Sequence, residues 1–151
     1  MAEKKNGIIQ KYNYYKFKHE YFCFNGNLEG EYKEYDNDGK LRDIWNYKNN
    51  KREGEYKRYY KNGQLFQIIN YKNEKRDGEV KTYYDSGQIL GIYNYKNGKY
   101  EGEYKRYFKN GQIWIIYNHK DNILEGEYKE YDNNGQLKEI GNYKNGIRVI
   151  L

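Results

Sequence analysis

The chain has 151 residues, a formal net charge of +6, 36% apolar residues even with Tyr counted, and no proline. Its length fits one domain, residues 1–151. A mean hydropathy of −1.37 excludes a large dry core, and no stretch approaches the roughly 18 apolar residues of a membrane span. A single cysteine, Cys23, excludes an intrachain disulfide, and Met1–Gly7 lacks the apolar run of a leader, so a cytoplasmic protein is expected.

Low hydropathy with high charge usually signals disorder. The 22 tyrosines oppose that reading, because each ring buries area while its hydroxyl stays wet. In chain order, residues 6–29 form a degenerate amino-terminal cap whose first strand, Ile8 to Tyr15, has lost the pattern of the rest. Five repeats follow without insertion or deletion, over 30–53, 54–77, 78–101, 102–125 and 126–148, and 149–151 make a carboxy-terminal edge. Gly30, Gly54, Gly78, Gly102 and Gly126 each open a repeat, 24 residues apart. A fixed period in this range marks a stacked-repeat architecture.

Each repeat holds two turn signals. The first is Asp38-Gly39, Asn62-Gly63, Ser86-Gly87, Asn110-Gly111 and Asn134-Gly135. Asn-Gly there predicts a type I′ turn, in which both central residues have positive φ. The second is Asn49-Asn50, Asn73-Glu74, Asn97-Gly98, Asp121-Asn122 and Asn145-Gly146. Between them lie short Tyr- and Ile-rich segments without helical periodicity, which read as strands. The expected fold is all-β, a single-layer, elongated antiparallel β-meander of tandem 24-residue hairpins.

The repeated columns have structural explanations. Gly at the head of each unit predicts a close backbone approach or a tight bend. Glu31, Glu55, Glu79, Glu103 and Glu127 stand two residues before Lys33, Lys57, Lys81, Lys105 and Lys129, so both columns share one face. Asn46, Asn70, Asn94, Asn118 and Asn142 predict a ladder of side-chain amides bonded to backbone.

The pattern Gly-Glu-Tyr-Lys-x-Tyr-x-x-x-Gly-Gln-Leu-x-x-x-x-Asn-Tyr-Lys-Asn-Gly resembles the MORN-repeat variant, found in repeat proteins that include bacterial antitoxins. The resemblance covers Gly30 to Arg148 well and 6–29 poorly. It implies a hairpin ribbon without enzymatic activity, and roles in protein scaffolding, toxin neutralisation or binding of acidic phospholipids.

Columns that vary between repeats can encode a partner. Apolar side chains gather there at Trp45, Phe66, Ile69, Leu90, Tyr93, Trp114, Ile115 and Tyr117. The fourth repeat adds Ile123 and Leu124 where other repeats carry Lys and Arg. A one-layer sheet cannot bury both faces, so this strip is either covered by the chain's own termini or held out for a protein partner. Aromatic enrichment favours the interface.

Catalytic chemistry finds no foothold. Ser86 is the only serine and sits in a turn, and His19, His119 and Cys23 lack metal-site spacing. His119 replaces a column Tyr and reads as a packing substitution. Five copies of carboxylates such as Glu31 and Glu53 point to architecture rather than paired acids. No enzyme and no cofactor are expected. The first expectation is a binding module that occludes a toxin or nuclease effector, as an antitoxin, immunity protein or phage inhibitor. The second is a membrane or nucleic-acid binder through Lys33, Lys57, Lys81, Lys105 and Lys129. The third is a homo-oligomer joined through the terminal edge Ile147–Leu151.

Overall fold

The computed structural model describes residues 6–12 and 18–149. They form an open antiparallel β-meander of fifteen strands without helix. The end of the expected Ile8–Tyr15 strand and the edge residues Ile150 and Leu151 lie outside the described residues.

The chain divides into two compact units, 1–75 and 76–151. In the first, β1 (Gly7–Tyr12), β2 (Lys18–Phe24), β3 (Asn27–Tyr35), β4 (Leu41–Lys48), β6 (Gly54–Tyr59) and β7 (Leu65–Lys72) pair in that order, and the two-residue β5 (Lys51–Arg52) pairs with β4. The second unit begins within β8 (Lys75–Tyr83). It continues through β9 (Ile89–Lys96), β10 (Lys99–Tyr107), β11 (Ile113–Lys120), β13 (Gly126–Tyr131), β14 (Leu137–Lys144) and β15 (Ile147–Val149), with the short β12 (Ile123–Leu124) on β11.

The type I′ geometry expected of the first turn is found at the second instead. The two-residue turns with both φ positive are the second ones, such as Asn49-Asn50 (φ 50 and 64), Asn73-Glu74 (49 and 67) and Asp121-Asn122 (52 and 73). At the first turn only the glycine is positive, as at Gly63 and Gly111, both with φ 86. There the Tyr60 N–H donates to the Gln64 carbonyl (2.8 Å) and the Gly63 N–H to the Tyr60 carbonyl (2.9 Å). This longer loop is a type I turn closed by a left-handed glycine, which forces a bulge. The register accordingly shifts between Arg58 and Tyr59, and again between Arg106 and Tyr107.

The repeat-opening glycines hold a bend rather than a close approach. Gly30, Gly54, Gly78, Gly102 and Gly126 have φ between 72 and 103, and a Cβ on Gly30, Gly102 or Gly126 would meet nothing within 4 Å. The acid just before each glycine ties the repeats together. Glu29, Glu53, Asp77, Glu101 and Glu125 accept the backbone N–H of Asn49, Asn73, Asn97, Asp121 and Asn145 at 2.7–3.1 Å. The Asn ladder is present: Asn46 Nδ2 donates to the Glu55 carbonyl (2.7 Å) and Asn118 Nδ2 to that of Glu127 (3.3 Å).

Candidate functional site

Cross-strand register sorts the columns onto two faces. One face carries Glu, Lys, Ile and Asn: Lys57 stands opposite Ile68 and Glu55 opposite Asn70, and in the second unit Lys105 stands opposite Ile116. The other face is aromatic: Tyr32 faces Trp45, Tyr56 faces Ile69 and Tyr104 faces Tyr117.

On the polar face each lysine of the repeated column is held by the glutamate two residues before it. The pairs are Lys33–Glu31 (2.9 Å), Lys57–Glu55 (2.6 Å), Lys81–Glu79 (2.8 Å), Lys105–Glu103 (2.5 Å) and Lys129–Glu127 (2.5 Å). The hydrogen bond to that glutamate holds each ammonium above its ordinary range. The result is a neutralised row, not a cationic stripe.

In the first unit the aromatic face supplies the packing. Trp45 stacks on Tyr56 with ring centroids 3.9 Å apart and tilts against Tyr71 at 5.9 Å. Tyr56, Ile69 and Tyr71 are buried, Ile69 to 3% exposure. Ile69 is therefore core, and the expectation that it lies on accessible surface is corrected. Tyr56 donates through its hydroxyl to the buried Asp43 (2.5 Å), which Arg42 Nε also reaches at 2.8 Å. Burial first, then this carboxylate, raises the Tyr56 phenol well above its usual range. Phe66 meets Tyr60 edge-on at 5.0 Å, beside a shallow cavity that it shares with Leu41, Arg58 and Tyr59.

In the second unit the aromatic face holds both buried and open places. Val80 and Tyr95 are buried there, and Tyr93 stacks on Tyr104 at 5.3 Å. Leu90 is the extra residue of the bulge between Thr82 and Tyr83, where it has no register partner, and it is half-buried. Beyond Tyr104 the face opens into a cavity of about 500 Å³. Trp114, Ile115, Tyr117 and Leu124 line it, and so do Tyr100, Tyr104, Arg106 and His119. Arg106 lies over the Trp114 ring at 4.8 Å. Ile123 instead pairs with Lys120 on the polar face and is 48% exposed.

Four of the ten apolar residues singled out in the sequence thus meet around one cavity. Tyr100, Tyr104, Arg106 and His119 were not anticipated there. His119 does occupy a packing column, but its buried Nδ1 has no hydrogen-bond partner, and burial lowers its pKa below the ordinary 6.5. The signal was in the repeats: position 119 holds His where the others hold Tyr, and 123–124 hold Ile-Leu where three others hold Lys-Arg or Ile-Arg.

Among the described residues no group of three or more His, Cys, Asp or Glu is placed to hold a metal ion. No helix among them is long and apolar enough to cross a membrane.

The family described as MORN repeat variant matches residues 28–49, 52–73, 76–97, 100–121 and 124–145. The chain belongs to this family. The MORN repeat is a non-catalytic module that mediates protein and membrane interactions, and the chain is a MORN repeat protein of five in-register copies. No curated protein matches it. Among solved structures it is similar to a crystal structure of a GtfA/B complex bound to UDP and GlcNAc. That likeness has 17% identity and a TM-score of 0.34, and covers 76% of this chain. The chain spans 22% of that structure's length, and at such a TM-score the likeness carries no argument.

Proposed function

We propose that this MORN repeat protein is a non-enzymatic binding module that neutralises a partner protein, a toxin or nuclease effector, by covering its working surface in the cytoplasm. One observation carries the reading: the aromatic cavity of about 500 Å³ in the second unit, which Trp114, Tyr117 and Arg106 line together, with Trp114 and Tyr117 half-buried. Tyr, Trp and Arg around a partly open cavity are the side chains that dominate protein–protein hot spots. A repeat array supports this use, because its variable columns change without disturbing the ladder.

The test is capture from the native host by the intact chain, with mass spectrometry of what co-purifies, followed by inhibition assays on the captured protein. Trp114→Ser with Tyr117→Ser is expected to abolish capture and inhibition while the far-ultraviolet spectrum stays β-rich. Unchanged capture by the double variant would overturn the reading, as would turnover of a substrate by the isolated chain. The neutralised lysine row speaks against the membrane or nucleic-acid alternative. Salt-sensitive binding to acidic vesicles or to an oligonucleotide would favour it instead.

A further inference from the structure

The column at 52, 76, 100, 124 and 148 reads Arg, Arg, Tyr, Leu, Arg. Each arginine lies on the rings of the aromatic face. Arg52 stands over Trp45 at 5.4 Å and Tyr71 at 4.9 Å. Arg76 stands over Tyr95 at 5.3 Å and donates to its hydroxyl at 3.0 Å. Arg148 stands over Tyr128 at 5.3 Å. Tyr100 fills its own place with a ring, 5.6 Å from Tyr93 and 5.3 Å from His119.

Leu124 breaks the series. By the repeat period its rings are Tyr117 and Tyr143, the counterparts of the Trp45 and Tyr71 that hold Arg52. Tyr117 and Tyr143 meet edge-on at 6.3 Å, close to the 5.9 Å of Trp45 and Tyr71. Among the described residues no cation lies over Tyr117, and the cavity of about 500 Å³ opens beside it and Leu124.

Resting on the binding role proposed above, we infer that this cavity is a cage for an arginine side chain of the partner protein, which takes the place that Arg52, Arg76 and Arg148 fill from within the chain. Aromatic faces attract a guanidinium through their quadrupole, more strongly once water is excluded. Glu130 and Glu139 stand near the cavity, but each already holds a cation of the chain, Lys138 (3.4 Å) and Arg148, so the attraction rests on the rings that line it. His119 adds a buried ring nitrogen without a partner, and a neutral imidazole nitrogen accepts an N–H. The one cation lining the cavity, Arg106, is engaged on Trp114. Burial first, then Tyr143 and Glu130, raises the Tyr117 phenol, so the ring stays neutral and presents its face.

The experiment titrates the full chain with N-acetyl-arginine N-methylamide and, separately, with the citrulline analogue, which has the same shape without the charge. Amide and indole NMR shifts are followed. The expected result is millimolar binding of the arginine compound that moves the Trp114 indole and the resonances of Tyr117, His119 and Leu124, with the citrulline compound at least fivefold weaker. Leu124→Arg completes the column from within, and is expected to remain folded, with an unchanged or higher melting temperature, and to lose the arginine response. Equal shifts by both compounds would overturn the inference, as would no shift at the cavity, or a Leu124→Arg chain that still responds. Failure here with loss of capture in the Trp114→Ser, Tyr117→Ser chain would leave the broader binding role standing on other contacts.

Discussion

Single residues carry the chemistry that the sheet cannot. Asp43 is 4% exposed and survives burial because Tyr56 and Arg42 donate to it, at 2.5 and 2.8 Å. Tyr56→Phe keeps the ring stack on Trp45 but removes the donor. Loss of one partner from a buried carboxylate costs about 1–3 kcal/mol, and a urea midpoint lowered at constant m-value is the expected outcome. His119 offers a titration. Its folded pKa lies below the ordinary 6.5 because burial disfavours the imidazolium. The unfolded chain therefore takes up the proton first. The contribution of a neutral His119 is complete above 6.5 and is lost as pH falls through the lower folded value. Wild type is expected to lose more stability than His119→Tyr between neutral and mildly acid pH, read from paired melting curves. Equal losses would remove His119 from the account.

At the scale of elements, stability rests on turns and on the staples between repeats. Gly102 has φ 81 and free space around it, so Gly102→Ala tests backbone strain alone. A left-handed conformation costs an L-residue about 1–2 kcal/mol, and Gly102→Asn is expected to recover part of that loss in thermal unfolding. Gly141 differs. Its φ is not left-handed, yet a Cβ there would come within 2.5 Å of the Tyr128 ring, so Gly141→Ala must displace that ring. Glu53→Ala removes the acceptor of the Asn73 N–H at 2.7 Å. For an exposed bond the expected cost is about 0.5–1.5 kcal/mol, with faster amide exchange confined to the Asn73-Glu74 turn. The strands, hairpins and repeat period were legible because they depend on local pattern. The geometry of the two turns was not, because Asn-Gly suits both a type I′ turn and the left-handed close of a type I turn. Loop length, fixed by which residues pair across the strands, decided between them.

Taken whole, the molecule carries +6, yet its repeated lysines face their own glutamates. Anionic vesicles at about 0.15 M salt, where screening reaches beyond roughly 8 Å, are expected to bind the wild-type chain weakly. Changing Glu31, Glu55, Glu79, Glu103 and Glu127 to Gln frees the row and is expected to create salt-sensitive binding, read by vesicle co-sedimentation. Strong, salt-sensitive binding by the wild type would show that those pairs open at a surface.

The sequence by itself determined the period, the all-β class, the two faces and the family, because a two-residue side-chain alternation and a 24-residue repeat are written in the order of residues. It also marked Trp114, Ile115, Tyr117 and Leu124 as departures from the common pattern. Only the tertiary structure decided which departures are sealed and which are open. Ile69 and Trp114 both stand in varied columns of the sequence, yet Ile69 is buried while Trp114 borders a cavity. Ile69 stands opposite the buried Tyr56, whereas Trp114 is the residue skipped in the register between Ile113 and Ile115. Such contacts follow from the register of paired strands, which brings residues distant in the chain to van der Waals range.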